Sequence, residues 1–425
     1  MDKEGEFARY VSTLSETLAH ADRVGPMHDY CRGLMLSGDR KSVEPMAALV
    51  APQRAGAKHQ SMHHFVAKAE WSDTALLAAV RQEVLPTLGA IEAWIVDDTG
   101  YPKKGSHSVG VARQYCGQLG KQDNCQVAVS VSVANERSSL PIGYQLYLPH
   151  EWAEDAARLK RAEVPANIGF ATKCVLALEQ LRAARAARVP VGVVLADAGY
   201  GNDTEFRLGI AALGLTYAVG IQGSTTVWAE GHQPLPPRGT WGRGRPGTHL
   251  RRNRTHQPVD VKALAHELPG RAWRRIEWRE GTAGVLASRF ARVRVRAAHR
   301  NEVHEEEWLV IEWPLAEIEP TKYWLTTLPS SIAFKELVRL IKLRWRIERD
   351  YQELKQELGL GHYEGRNWRG FHHHATLTIA AYGFLMRARL TGRAKKNFAI
   401  RPREPLLQLP PRPKNFIPRG SPRAP

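Results

Sequence analysis

FKELVRLIKLRWRIERDYQELKQELG, running from Phe334 to Gly359, meets no Gly or Pro before its last residue, and Leu337, Ile341, Arg344, Glu348, Tyr351 and Lys355 recur in it at steps of three and four. That period predicts one long helix with Arg344, Glu348, Tyr351 and Lys355 on a shared face. A carboxylate held between two cations stays ionised at neutral pH and is fit to hold a divalent metal. The plain alternative is a solvated lattice of i, i+4 ion pairs, each worth only about 0.2–0.5 kcal/mol.

Upstream, two compact apolar runs each end in acid. Ile91 to Val96 passes directly into Asp97-Asp98, and Val191 to Ala196 into Asp197-Ala198-Gly199-Tyr200-Gly201. Such runs are the mark of buried strands, and charges at the carboxyl ends of central strands sit where open sheets bind ligands. A local turn cap is the other reading of either acid. Between the runs, Gln126 to Val133 alternates cleanly and Ile142 to Leu148 more loosely, which predicts an antiparallel meander followed by a helical stretch from Glu154 to Arg188. Asp203 or Thr204 can cap a short helix before a further strand, Leu215 to Ile221. This order of elements resembles that of a ribonuclease H-like α/β core.

The whole chain, 425 residues with a formal charge of +17, has room for two or three domains and calls for a polyanionic partner, nucleic acid first among them. Cys31, Cys116, Cys125 and Cys174 form neither a CxxC pair nor a disulfide framework, and no apolar run is long enough for a bilayer. A soluble cytoplasmic protein, not associated with membrane, is therefore expected.

Arg344-Trp345-Arg346-Ile347-Glu348 followed by Lys355, together with Asp97-Asp98-Thr99-Gly100-Tyr101-Pro102-Lys103-Lys104-Gly105, resembles the bacterial insertion-sequence DDE transposases of the group with a tyrosine, arginine, glutamate and lysine signature, in particular their insertion sequence 701-like branch. The resemblance runs from about Met27 to Leu390. It departs from the pattern at Ile341, which stands where the signature tyrosine would fall; Tyr351 is a possible substitute. The resemblance implies a ribonuclease H-like fold in which Asp97, Asp197 and Glu348 ligate two Mg2+ ions, with Mn2+ able to substitute, and Asp98 the competing register for the first ligand. Arg344, Lys355, Lys103 and Lys104 are implied to bind DNA phosphates. The activity implied is cutting of element ends and their joining to target DNA, by a homodimer on double-stranded DNA that includes the terminal inverted repeats. Two rivals are a DNA-binding repressor or architectural protein without chemistry, and a nuclease without strand transfer.

Four regions are expected around this site. Residues 1–88 read as an N-terminal helical region able to bind DNA, in which Ser72 can cap a helix that Pro86 ends. Residues 89–222 and 329–391 form the catalytic core, and 223–328 an inserted β-rich subdomain. The insertion holds the Arg-rich, acid-free segment Trp241 to Thr255, the alternating Arg292, Arg294 and Arg296, and four tryptophans, Trp273, Trp278, Trp308 and Trp313; the resemblance implies that an aromatic here, any of the four, could hold a flipped base. Residues 392–425 read as a basic, Pro-rich disordered tail. His372-His373-His374 invites a metal reading, but consecutive helical residues face different ways, which favours a structural or DNA-facing role.

Overall fold

Ala93-Trp94-Ile95-Val96 offers no acid or hydroxyl to water, and all four side chains are buried as the first half of strand β1 (Ala93–Pro102). The computed structural model describes residues 3–237, 248–281, 284–300 and 302–393. Residues 241–247 of the Arg-rich segment and nearly all of the basic tail lie outside the described residues. β1 pairs antiparallel with β3 (Lys121–Ala134), which is flanked by β2 (Ala112–Cys116) and β4 (Ser139–Leu146), giving the expected meander. On its other side β1 runs parallel to β5 (Val193–Ala196), and β5 parallel to β6 (Tyr217–Ile221).

The remaining strands extend the same sheet. They are β7 (Thr226–Ala229), β8 (Val259–Asp260), β9 (Arg274–Gly281), β10 (Gly284–Ala297), β11 (Glu306–Trp313) and β12 (Lys322–Thr326). The order along the twelve-stranded sheet is β2-β3-β1-β5-β6-β12-β11-β10-β7-β8, with β4 on β3 and β9 on β10. The seam is the antiparallel β6–β12 pair, closed by Tyr217, whose hydroxyl donates to buried Glu307 at 2.8 Å. The result is a mixed α/β architecture with a large mixed sheet and flanking helices, the form of a ribonuclease H-like core.

Helices α1 (Lys3–Ser15), α2 (Val24–Met35), α3 (Val43–Val50), α4 (Ala55–Ala67) and α5 (Asp73–Leu88) precede the sheet. Ser72 caps α5 by accepting the Ala75 N–H at 3.1 Å. The helix continues two residues past Pro86, because a proline in the last turn removes one donor while its own carbonyl faces the helix end, where no partner is required. Short helices α6 (His150–Ala153) and α7 (Ala156–Arg161) lead to α8 (Lys173–Ala186); α9 (Ala198–Gly201) and α10 (Thr204–Ala212, capped by Asp203) join β5 to β6; and α11 (Val261–Glu267) follows β8.

The stretch from Phe334 is not one continuous α-helix. α12 (Phe334–Lys342) passes into α13 (Trp345–Gln352) through a tightened turn, in which Arg346 N–H donates to Leu343 O at 3.0 Å and Ile347 N–H to Arg344 O at 3.1 Å. A π-helical turn, Glu353–Glu357, follows. Tightening and then widening the helix changes the phase at which successive side chains emerge, so residues at nominal helical spacing do not all line one face. Nothing in the local sequence forces either irregularity; both are set by packing.

α14 (Trp368–Arg393) is the last described element and carries the three histidines, all buried and each bonded within the fold. His374 faces the Tyr30 hydroxyl at 2.9 Å and the Gly359 carbonyl at 3.0 Å; His372 faces the Trp368 carbonyl at 3.0 Å and the Leu146 N–H at 3.2 Å; His373 stacks on Trp71. Burial lowers the His373 and His374 pKa values to about 4. These rings are structural. Among the described residues no helix is long and apolar enough to cross a membrane.

Candidate active site

β1 and β5 are adjacent and parallel, with Ile95 level with Leu195; Asp97 lies within β1 just past the end of that pairing, where β1 continues against β3 alone, and Asp197 directly follows the carboxyl end of β5. Asp97 Oδ1 accepts the Asp98 N–H at 2.9 Å, and Oδ2 accepts from Arg344 Nη1 at 3.0 Å. Its side chain is only 16% exposed. Burial pushes its carboxyl up to about 7 against the pull of Arg344, with repulsion from Asp197 and Asp98 adding to the rise. Asp98 points from the opposite side of the pleat and pairs with Lys173 Nζ at 2.5 Å.

Asp197 also caps α9, accepting the Gly199 N–H at 2.9 Å. Gly201 is required by backbone packing: a Cβ there would stand 2.0 Å from the Gly220 carbonyl oxygen on β6. The glycines of this motif thus let α9 lie directly on the sheet and hold Asp197 at the strand tip.

Glu348 is the outlying member. Its side chain is 70% exposed, and its ion pair is with Arg344 at 3.8 Å. The Arg344 guanidinium is therefore interposed between Asp97 and Glu348, its single charge shared by two carboxyl groups. Among the described residues no three acidic, histidine or cysteine side chains converge closely enough to hold a metal ion. The donor types nevertheless fit a hard divalent cation: every candidate ligand is a carboxylate oxygen, and Asp97, sequestered beside a second carboxylate, needs positive charge to ionise at neutral pH.

Lys355 emerges from the π turn and reaches back to β1. Its ammonium donates to Gly100 O at 2.8 Å and Gln118 Oε1 at 3.2 Å and lies 4.9 Å from the Tyr101 ring centre, where burial lowers its pKa to about 8. Lys103 donates to the Tyr363 carbonyl at 2.7 Å and is partly buried, whereas Lys104 is exposed. The Tyr351 hydroxyl is buried against Ser130 Oγ, and Ile341 is 4% exposed in the core. Neither side chain offers a hydroxyl to a phosphate.

Two groups at the site carried no sequence signal. Lys173 belongs to the first turn of α8, remote in sequence from its partner Asp98. Asp350 lies two residues beyond Glu348 but turns inward, accepting from Ser139 and, at 2.9 Å, from Tyr382; burial pushes it up to about 7. The tryptophans of the insertion are engaged by cations and by each other. Arg292 and Arg294 flank Trp308, Arg289 lies over Trp313, and Trp273 meets Trp313 edge to face. Arg294 and Arg296 also face Glu306 at 3.6 Å each, so the alternating arginines have partners inside the sheet.

The family model described as DDE superfamily endonuclease matches residues 13–285, more than half of the chain. The matched span takes in Asp97 and Asp197 and ends before Glu348. The chain is also similar to the probable transposase for insertion sequence element IS701 of Microchaete diplosiphon, 29% identical over 191 residues that make up 44% of this chain and 46% of that protein. The chain thus spans about half the length of this relative.

Proposed function

The chain belongs to the DDE superfamily endonucleases, and from that premise we propose that it is a DNA transposase that cuts insertion-sequence ends and joins them to target DNA. The observation that carries the proposal is the placement of Asp97 and Asp197 on neighbouring parallel strands where their pairing ends, with Arg344, just ahead of α13, bridging Asp97 and Glu348.

Asp97, Asp197 and Glu348 are the residues that would hold two Mg2+ ions, with Mn2+ as substitute, and Asp97 rather than Asp98 is taken as the first ligand because Asp97 shares Arg344 with Glu348, whereas Asp98 faces away to Lys173. Bound metal supplies activation of the attacking oxygen and stabilisation of the leaving oxygen. Arg344, in the turn that leads into the helix of Glu348, has the planar donor fork suited to gripping a phosphate once the carboxylates it now bridges are otherwise neutralised. Lys355, anchored on Gly100 and Gln118, places a second cation beside β1, and exposed Lys104 extends the phosphate path. Desolvation around Asp97 strengthens its interaction with Arg344.

We assign residues 1–88 as the N-terminal helical region, 89–222 and 329–391 as the catalytic core, and 223–328 as the insertion. The substrate is double-stranded DNA bearing terminal inverted repeats, handled by a homodimer that brings two ends together. The test is incubation of the purified chain with candidate element ends, a supercoiled target and Mg2+. Joined products that vanish in Asp197→Ala and Glu348→Gln uphold the reading. Cleavage without joining identifies a nuclease, and binding indifferent to Mg2+ and to Glu348→Gln identifies a non-catalytic DNA-binding protein.

A further inference from the structure

The turn that carries Arg344 is gripped from both sides by strand β9. Lys342, the last residue of α12, directs its ammonium among three rings, 4.6 Å from the centre of Trp278, 5.3 Å from Trp324 and 5.4 Å from Phe290, and pairs with Glu312 Oε2 at 2.6 Å. Three residues later the polarity reverses. Trp345, the first residue of α13, lies under the Arg279 guanidinium at 3.7 Å, with Arg346 flanking the same ring at 4.8 Å.

Trp278 and Arg279 are consecutive, and in a regular strand they would point to opposite faces. A register shift makes the double contact possible. Glu277 pairs with Ala287 and Arg279 with Leu286, leaving Trp278 as the extra residue of a β-bulge. Bulges re-aim side chains in this way. Within the helix the turn is restrained by backbone hydrogen bonds, Leu343 N–H to Leu340 O at 3.0 Å and Arg346 N–H to Leu343 O at 3.0 Å, and the start of α13 has no side-chain cap. The tightened turn, Leu343–Arg344, lies between the two contacts, and both of its neighbours, Lys342 and Trp345, are held by the sheet.

We propose that Lys342 and Arg279 are positioning residues of the DDE site: the aromatic cage around Lys342 and the Arg279–Trp345 stack fix the turn at Leu343–Arg344, and with it where Arg344 and Glu348 stand relative to Asp97. The proposal rests on the metal-site reading above and deepens it, because it makes the extended β-sheet a determinant of carboxylate geometry. Buried Glu312 adds direction. It holds the ammonium at one edge of the cage, so a side chain of similar length without charge fills the space but loses the orientation.

The test is Mn2+ binding to the full chain, followed by electron paramagnetic resonance titration of free Mn2+, with DNA binding measured beside it. Lys342→Met and Arg279→Gln are expected to weaken Mn2+ binding by about tenfold or more, as loss of outer-shell partners does, while affinity for DNA without metal is unchanged. Lys342→Arg keeps both the cation–π contact and the Glu312 pair and is expected to bind Mn2+ within about twofold of the parent. If Lys342→Met fails to fold, Arg279→Gln carries the test alone. Parental Mn2+ affinity in Arg279→Gln, or a Lys342→Arg protein as impaired as Lys342→Met, overturns the positioning role. A parent chain that binds no Mn2+ overturns the metal-site reading itself, so the two failures are distinguishable.

Discussion

Replacing Glu307 with glutamine tests whether the contact that Tyr217 of β6 makes across β12 to Glu307 of β11 holds a neutral carboxylic acid. Glu307 is 4% exposed, and burial pushes its carboxyl from 4.5 up to about 7 against the opposing pull of Arg207 and the Tyr217 hydroxyl. Because the folded value is raised, the native state retains a proton that the unfolded chain releases above pH 4.5. The associated stability is fully present below pH 4.5 and is lost as pH rises through about 7. At about 1.36 kcal/mol per pH unit the gap from 4.5 to about 7 corresponds to about 3 kcal/mol, with no discount for solvent screening in so buried a group. The glutamine amide keeps an acceptor for Tyr217 and carries no titrating proton. The expected outcome in denaturant unfolding is that the stability difference between Glu307→Gln and the parent grows in favour of the variant by about 3 kcal/mol between pH 4.5 and pH 8. Taking the difference cancels the titration of Asp97 and Asp350, which are raised in the same direction. Parallel pH profiles for the two proteins would refute the reasoning.

Three further outcomes follow from the site. Tyr351→Phe should leave DNA cleavage undiminished and lower stability by about 1 kcal/mol, because the hydroxyl serves Ser130; a loss of cleavage at unchanged stability would return Tyr351 to the chemistry. Gly201→Ala should destabilise the fold or displace α9, with loss of cleavage, since its Cβ would meet the Gly220 carbonyl at 2.0 Å; an unchanged melting temperature would contradict this. Lys104→Ala should weaken DNA binding and reduce its salt slope by about one, whereas Lys103→Ala should lower the melting temperature through loss of the Tyr363 contact; titration of binding against salt and thermal unfolding separate the two.

The strand tips were legible in the sequence because a parallel strand buried on both faces must be apolar along its length, so an acid that follows directly marks the point where the chain leaves the sheet. Asp197 carries that signal in full; at Asp97 the chain stays in the sheet, because β1 continues against β3 to Pro102, and the acid marks only where the pairing with β5 stops. The histidine triplet was legible by the same logic of period, since adjacent helical residues diverge. The β6–β12 seam was not: Ala218 meets Thr326 across more than a hundred residues of chain, and nothing in either strand's alternation names its partner. Lys173 was hidden for a similar reason, as one lysine at the start of a helix carries no mark of the carboxylate it will meet.

The helix from Phe334 shows why the site was harder to read than the sheet. Helical periodicity assumes one uniform phase, and on that assumption Arg344, Glu348, Tyr351 and Lys355 should share a face. The structure divides them. Arg344 and Glu348 stand together at the start of α13, Tyr351 turns into the core toward Ser130, and the π turn carries Lys355 to Gly100. The energy that imposes these changes of phase comes from outside the helix, from Lys342 in its cage, from Arg279 on Trp345 and from Lys355 on β1. A motif defined by spacing along a helix therefore specifies which residues reach the site, while the phase at which each arrives is written in the strands that hold the helix.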